Sequence, residues 1–286
     1  MLGLDVRAAA ERAGYEVVAL SRAELDIADP VGVGAVLGRV RPGVVINCAA
    51  YTRVDDAEAD VAGATRVNAT GPGVLAAAAA SVGAWIVHVS TDYVFDGEKS
   101  SGAYVESDVT GPRSVYGVSK LLGERAVAAA APDCHTIVRS AWLFGTGGPC
   151  FPATILRAAA SRPELRVVDD QVGSPTFTPH LAEALLSLAV DRVLGVTHVA
   201  AAGETSWFGF ASALVAAASA ADAGTGWAVV SPCSTEEFPR PAPRPAFSVL
   251  RSERVAEGVP VLADWRVGLA QYMAARAGAA RAGVVL

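Results

Sequence analysis

A chain of 286 residues can form one large domain or two smaller ones that share a cleft. Its formal charge of −6, from 29 acidic and 23 basic side chains, provides no basic stripe for a phosphate backbone, so no nucleic-acid partner is expected. The 52% hydrophobic content is inflated by alanine, and the four scattered cysteines (Cys48, Cys134, Cys150, Cys233) lack a C-x-x-C, so they read as free thiols.

From the amino terminus, short apolar runs alternate with longer helical patterns. Residues 16–20 (EVVAL), 43–50 (GVVINCAA), 85–90 (WIVHVS) and 135–139 (HTIVR) read as strands buried on both faces. Residues 29–40, a long segment from 55 to about 82, and residues 116–130 are helical in pattern. Asp29-Pro30 looks like an N-cap followed by proline in the first turn. This alternation predicts an α/β doubly wound parallel sheet. Ligands of such sheets lie at the carboxyl ends of the strands, here residues 49–52, 90–93 and 140–142.

Residues 67–91 carry no Asp, Glu, Lys or Arg and are long enough to cross a bilayer. Gly71, Pro72, Gly73 and Gly83 interrupt them, so a buried helix running into a buried strand is the better reading. The first residues lack a basic region followed by an apolar block, so a signal peptide is not expected, and a cytoplasmic protein without a membrane partner is.

After Gly145 the rhythm changes. Helices are expected over 151–162, 178–193 and 206–221, with a short strand at 165–168 and a strand over 197–200 returning to the main sheet. Residues 231–245 hold five prolines and read as an irregular wrap, neither strand nor helix. The expected division is a dinucleotide-binding domain over 1–145, with about 173–202 returning to it. A substrate-binding lobe would then take 146–172 and 203–286.

The strongest chemical signal is Tyr116-Gly-Val-Ser-Lys120, at the start of a helix. Residues four apart share a helix face. An ammonium about 5 Å from a phenol, at an effective dielectric near 20, is worth on the order of 3 kcal/mol. That would bring a tyrosine down by about two pKa units, toward neutrality. Such a tyrosine can protonate the alkoxide formed when hydride reaches a ketone. Y-x-x-x-K alone is a weak signal, because a surface Tyr and Lys on a helix match it too. Here Ser90-Thr91-Asp92-Tyr93 ends an apolar strand upstream and supplies a hydroxyl to hold the substrate oxygen. Together the two motifs match the Ser/Thr–Tyr–Lys arrangement of extended short-chain dehydrogenases.

The resemblance then narrows. Asn47-Cys-Ala-Ala-Tyr-Thr52, Val67-Asn-Ala-Thr-Gly-Pro-Gly73, Ser90-Thr-Asp-Tyr-Val-Phe-Asp-Gly97 and Tyr116-Gly-Val-Ser-Lys-Leu-Leu-Gly-Glu124 resemble successive blocks of dTDP-4-dehydrorhamnose reductases. So do Trp142-Leu-Phe-Gly145, Val168-Asp-Asp-Gln-Val-Gly-Ser-Pro-Thr176 and Arg244-Pro-Ala-Phe-Ser-Val-Leu250. The blocks are in family order along nearly the whole chain.

The resemblance implies Thr91, Tyr116 and Lys120 as the catalytic set, acting on the C4 ketone of a dTDP-4-dehydro-6-deoxyhexose. Lys120 would also hold the nicotinamide ribose of NADPH or NADH, with Met1, Leu2 and Gly3 at its phosphates. Asp26 and Ile27 would flank its adenine, and Ala49, Ala50, Tyr51 and Thr52 would line its path. Thr91, Asp92 and Trp142 would meet the sugar and Arg244 the nucleotide diphosphate, although Trp142 could be an ordinary core residue and Arg244 simply solvated. Arg22, just after the strand expected over 16–20, stands where the resemblance would put the 2′-phosphate of NADPH. Mg²⁺ and a homodimer are allowed by the resemblance only; the histidines are scattered and no metal ligand is assigned.

Departures from the family pattern are Ala141 for a hydroxyl residue, Cys150 for asparagine and His180 for aspartate, which bear on the identity of the sugar. Met1-Leu2-Gly3 matches only the last three positions of the family's G-x-x-G-x-x-G turn. The first strand and two earlier glycines are expected upstream, and without them two neighbouring strands would lack a partner. Two alternatives stay open: a nucleotide-sugar epimerase or dehydratase of the same fold, and a non-catalytic subunit like the regulatory one of methionine adenosyltransferase.

Overall fold

The protein is described by a computed structural model, which covers residues 1–222 and 224–281. The first half builds the main sheet. α1 (Leu2–Arg12) opens the chain, and α2 (Pro30–Val40) starts as predicted, with the Asp29 side chain accepting from Val31 N and Pro30 in the first turn. β1 (Val44–Asn47) leads into a broken helical run made of α3 (Val54–Ala59), α4 (Val61–Thr65), a π turn (Arg66–Thr70) and α5 (Gly71–Ser81). β2 (Trp85–Thr91) ends in a 3₁₀ turn (Asp92–Val94); α6 (Val115–Ala130) follows, with the Ser114 hydroxyl capping Gly117 N, and then β3 (His135–Ser140). The uncharged stretch 67–91 thus falls on the π turn, α5 and β2.

The second half is more broken: β4 (Leu143–Phe144), α7 (Phe151–Ala159), β5 (Glu164–Val168), β6 (Val172–Gly173), β7 (Thr176–Phe177) and α8 (Thr178–Asp191). Next come β8 (Gly195–His198), β9 (Ala201–Ala202), β10 (Thr205–Ser206), α9 (Trp207–Ala221), β11 (Val229–Cys233), β12 (Leu262–Asp264) and α10 (Trp265–Arg281). Among the described residues no helix is long and apolar enough to cross a membrane.

The main sheet is parallel throughout, in the order β1-β2-β3-β8. Both faces are covered, which is why its strands read as nearly continuous apolar runs. On one face Leu2, Val6 and Ala9 of α1 pack with Leu181, Leu185 and Leu188 of α8 against Trp85, Val87 and Val138. On the other, Val33 and Leu37 of α2, Leu75 and Ala79 of α5, and Val127 of α6 cover Ile86 and Ile137. The period of two along β2 therefore sends Ile86, His88 and Ser90 toward the α5–α6 layer. That alternation decides which polar side chains can meet α6.

The structure corrects two expectations and adds one element. Residues 16–20 are not a strand: Val18 and Leu20 are 53% and 42% exposed, and no strand lies beside them. A strand exists only by pairing, and among the described residues no strand of the main sheet or of the small sheets pairs with the EVVAL run, so it stays an exposed, irregular segment. Residues 231–233 are not irregular, because they complete β11, which pairs in parallel with β5. Pro232 is accommodated in a two-stranded sheet, where a missing donor costs little. Finally α10, not foreseen, buries Trp265, Leu269 and Tyr272 against Phe144, Phe177 and Phe210.

The chain beyond residue 240 returns to the carboxyl ends of the main sheet. Ala242 N donates to Asp55 Oδ1 at 3.2 Å, Phe247 N to Gly97 O at 3.0 Å, and Tyr104 N to Val249 O at 2.8 Å.

Candidate active site

Helix α6 presents Tyr116, Lys120 and Glu124 as one stripe, each a turn after the last. The helix sits unusually close to its neighbours. A Cβ on Gly117 would lie 2.2 Å from Tyr93 O, and one on Gly123 would lie 2.0 Å from Asn68 O. Any other residue at these two positions would push the stripe away from β2. Lys120 is consequently buried, 2% exposed, and its Nζ donates to Val89 O at 2.6 Å. His88 Nε2 stands 3.5 Å from the same nitrogen. Burial brings Lys120 down to about 8, against the opposing pull of the Glu124 charge. Burial also pushes the neighbouring Cys48 thiol up to about 12.

The expected lowering of Tyr116 is not what this geometry produces. Burial pushes the phenol up to about 12; a hydrogen bond with the Thr91 hydroxyl pulls it back, and the Asp92 charge adds to the rise. Lys120 Nζ is engaged with β2 and does not offset the desolvation. The phenol is therefore protonated at neutral pH, the form a general acid needs. Its ring meets Tyr93 edge-on, with centroids 5.4 Å apart.

Thr91 closes β2 and donates to Asp92 Oδ1 at 2.9 Å. Asp92 is 2% exposed, and its Oδ2 is buried without a hydrogen-bond partner. Burial pushes this carboxyl up to about 6, while the Ser248 and Thr91 hydroxyls pull it back.

Beneath the site lies a polar network that the sequence reading did not single out. Glu124 receives two hydrogen bonds from Arg139, at 2.9 and 2.7 Å, and one from the Ser90 hydroxyl at 2.5 Å. Asn68 accepts from Tyr51 N at 2.7 Å, donates to Tyr51 O at 3.1 Å, and donates to Ser119 Oγ at 3.0 Å, fastening the loop after β1 to α6. Asn47 Oδ1 accepts from Ala49 N at 3.0 Å, and its amide nitrogen meets His88 Nδ1 at 3.1 Å. Asn47, Asn68, Ser90, Ser119 and Glu124 sit inside motif blocks, whereas His88 and Arg139 lie on strands outside them. The available signal was a polar side chain at an inward-facing position of an apolar strand or of α6.

The remaining predicted residues are placed as follows. Ala49, Ala50, Tyr51 and Thr52 form the loop at the carboxyl end of β1. Met1 caps α1 without a side-chain hydrogen bond, and a Cβ on Gly3 would lie 3.7 Å from Cys48 Cβ, so this helix end stands beside that loop. Leu2 is buried and packs into the core instead of facing a ligand. Arg22 lies exposed in a turn, Asp26 is paired with Arg66, and Ile27 packs on Gly71 at the start of α5. Trp142 adopts a left-handed backbone (φ 49°), a strained state for a bulky residue, and stacks face to face on Trp207 at 3.5 Å. Trp207 was not anticipated. Arg244 is not solvated: it holds Asp55 Oδ2 at 3.0 Å and donates to Ala242 O at 2.9 Å.

Of the three family departures, Ala141 is buried, and Cys150 Sγ approaches Gly145 O at 3.4 Å. His180 meets Gln271 of α10 at 2.7 Å. Among the described residues no group of three or more His, Cys, Asp or Glu is placed to hold a metal ion.

A parallel sheet covered on both faces, with a hydroxyl, a protonated phenol and a buried lysine gathered at the end of a central strand, defines the class: a dinucleotide-dependent reductase of the extended short-chain type. The RmlD substrate binding domain family matches residues 1–277. A dTDP-4-dehydrorhamnose reductase of Mycobacterium tuberculosis is 46% identical over 283 residues, 96% of this chain and 90% of the relative. The crystal structure of a dTDP-4-dehydrorhamnose reductase of Clostridium acetobutylicum superposes with a TM-score of 0.89 at 40% identity, covering 95% of this chain and 94% of the other. One from Bacillus anthracis, solved in complex with NADP, gives a TM-score of 0.88 at 34% identity over the same shares. The chain belongs to the dTDP-4-dehydrorhamnose reductase family.

Proposed function

We propose that this protein is an NAD(P)H-dependent reductase of the C4 ketone of a dTDP-4-dehydro-6-deoxyhexose, dTDP-4-dehydrorhamnose or a close deoxysugar. The observation that carries this reading is the protonated Tyr116 phenol beside the Thr91 hydroxyl, in a chain of this family.

The residues present fit a dinucleotide. The uncapped amino end of α1 lies beside the loop of Ala49–Thr52, and Lys120 is buried at the same end of the sheet. Met1 and Gly3 would face the phosphates, Asp26 and Ile27 the adenine, and Ala49, Ala50, Tyr51 and Thr52 the path between. Lys120 would hold the nicotinamide ribose. When bound, the reduced nicotinamide supplies the hydride. Arg22 and the NADP-bound relative favour NADPH.

The chain's own groups do the rest. Thr91 orients the ketone oxygen, and Tyr116 gives its phenolic proton to that oxygen as charge develops. The unpartnered Oδ2 of Asp92 suits a hydroxyl donor of the sugar, which would repay a buried polar atom. Trp142, backed by Trp207, offers a flat face to the sugar ring. Arg244, fixed by Asp55, would turn its remaining donors to the diphosphate. In this reading residues 1–145 and about 173–202 bind the dinucleotide, and 146–172 with 203–286 form the substrate lobe, in a cytoplasmic enzyme. Mg²⁺ has no assigned ligand here.

The test is oxidation of NADPH, and separately of NADH, in the presence of dTDP-4-dehydrorhamnose, with UDP-glucose as the comparison. Oxidation that depends on the dTDP-keto-sugar supports the reading. Interconversion of UDP-sugars without net oxidation would replace it with an epimerase.

A further inference from the structure

His88 is fully buried in the middle of β2, and neither the sheet nor the catalytic set described above requires a histidine there. Its two ring nitrogens have one neighbour each: Asn47 Nδ2 at 3.1 Å from Nδ1, and Lys120 Nζ at 3.5 Å from Nε2. The tautomer follows from the Asn47 amide. Asn47 Oδ1 accepts from Ala49 N at 3.0 Å, which fixes the amide oxygen on that side and leaves Nδ2 to donate toward His88. Nδ1 must then be the acceptor, so the ring proton of neutral His88 sits on Nε2, pointing at Lys120. An N–H directed at Nζ suits an amine with a free lone pair and opposes an ammonium. The Val89 carbonyl does not discriminate, because either form of lysine can donate to it.

We propose that His88, locked in its Nε2–H tautomer by Asn47, is a positioning residue that donates a hydrogen bond to Lys120 and so favours the uncharged amine. Lys120 is thereby a group that gains and loses a proton, not a fixed cation. This rests on the reading of Lys120 as a residue of the reductase site.

The surrounding groups are consistent with it. From α6, Tyr116 is a protonated phenol and Glu124 is the one charge favouring ammonium, itself held by Arg139 of β3. From the loop after β1, Cys48 is a neutral thiol. Burial keeps His88 well below its usual range, so the ring is neutral, and burial brings Lys120 to about 8.

The chain has two lysines, Lys99 and Lys120, and four histidines, so NMR of the whole protein labelled with ¹⁵N-histidine and ¹³Cε-lysine resolves the question without substrate or cofactor. Lys120→Met and His88→Phe assign the signals. In the unsubstituted chain His88 is expected as the neutral Nε2–H tautomer throughout the titration of Lys120. An Nδ1–H tautomer overturns the proposal outright, whatever the variants do. Asn47→Asp supplies a second oxygen acceptor for Nδ1–H and should reverse the ring, turning Nε2 into an acceptor and raising the proton affinity of Lys120 by at least about tenfold. A negative charge alone could do the same, so the substitution is repeated in a His88→Phe background. Loss of most of the shift there supports the route through His88, and an equal shift in both backgrounds contradicts it. Because no turnover is measured, failure here is separate from failure of the reductase assignment, which the keto-sugar assay decides.

Discussion

Tyr116 and Lys120 stand out in the sequence because four residues is one helical turn, and because Thr91 lies in a second motif. Their protonation does not stand out. The sequence reading placed an ammonium next to a phenol in a screened medium. The structure buries both groups and ties Lys120 Nζ to Val89 O, so desolvation raises Tyr116 and lowers Lys120. The role proposed for Tyr116 is compatible with this change, since a reduction needs a proton donor. Tyr116→Phe is expected to lower turnover at least about 100-fold while leaving NADPH affinity nearly unchanged. Steady-state kinetics beside a cofactor titration check this, and near-normal turnover of the variant would reject Tyr116 as the acid.

Asp92 gives a second prediction at this scale. Its folded pKa of about 6 lies above the usual carboxylate range, so the folded protein binds this proton more tightly than the unfolded chain does. The native state is therefore penalised as pH rises from about 4 to about 6, and the penalty stays constant above that window. Asp92→Asn removes the titration. It should stabilise the unliganded protein at pH 7 by on the order of 2 kcal/mol, with the gain shrinking as pH falls toward 4. Thermal melts across that range test the sign; a variant less stable than the parent at pH 7 contradicts the burial argument.

Among the elements, α6 carries the most consequence. Its stripe reaches β2 only because Gly117 and Gly123 admit Tyr93 O and Asn68 O, and its third member, Glu124, is anchored by Arg139. Both side chains of that pair are nearly fully buried, at 4% and 6% exposure. Glu124→Gln would leave the guanidinium without a counter-charge and is expected to cost roughly 3 kcal/mol. Chemical denaturation measures it, and a loss below about 1 kcal/mol would show that the pair is not the anchor.

Most elements were legible where periodicity and end signals coincide, as in α2, where Asp29-Pro30 marks the start. Residues 16–20 show the limit: their apolar run is strand-like, yet a strand depends on a partner that no local pattern supplies. Helix α10 was missed for a related reason. Trp265, Leu269 and Tyr272 are spaced for one face, but alanines and glycines around them dilute the contrast between faces.

For the whole molecule, the alternation of apolar runs with helical patterns was enough to indicate a parallel sheet, and the motif order was enough to indicate the family. The closing of the site was not readable in the same way. Trp207 stacks on Trp142, and the 242–250 segment returns to Asp55 and Gly97, through contacts between residues far apart in sequence. The partner in each long-range contact is chosen by three-dimensional packing; Trp142, Gly97, Arg244 and Phe247 lie in recognisable motifs, but nothing local says that they meet Trp207, Asp55 or one another. The central claim is that this assembled site delivers hydride to C4 of a dTDP-linked keto-sugar. The most direct measurement is incubation with deuterium-labelled NADPH and dTDP-4-dehydrorhamnose, followed by mass and NMR analysis of the sugar. Deuterium at C4 of a reduced product, formed by the protein and lost in Tyr116→Phe, is the predicted result. NADPH left unoxidised, or a product with deuterium elsewhere on the ring, would contradict it.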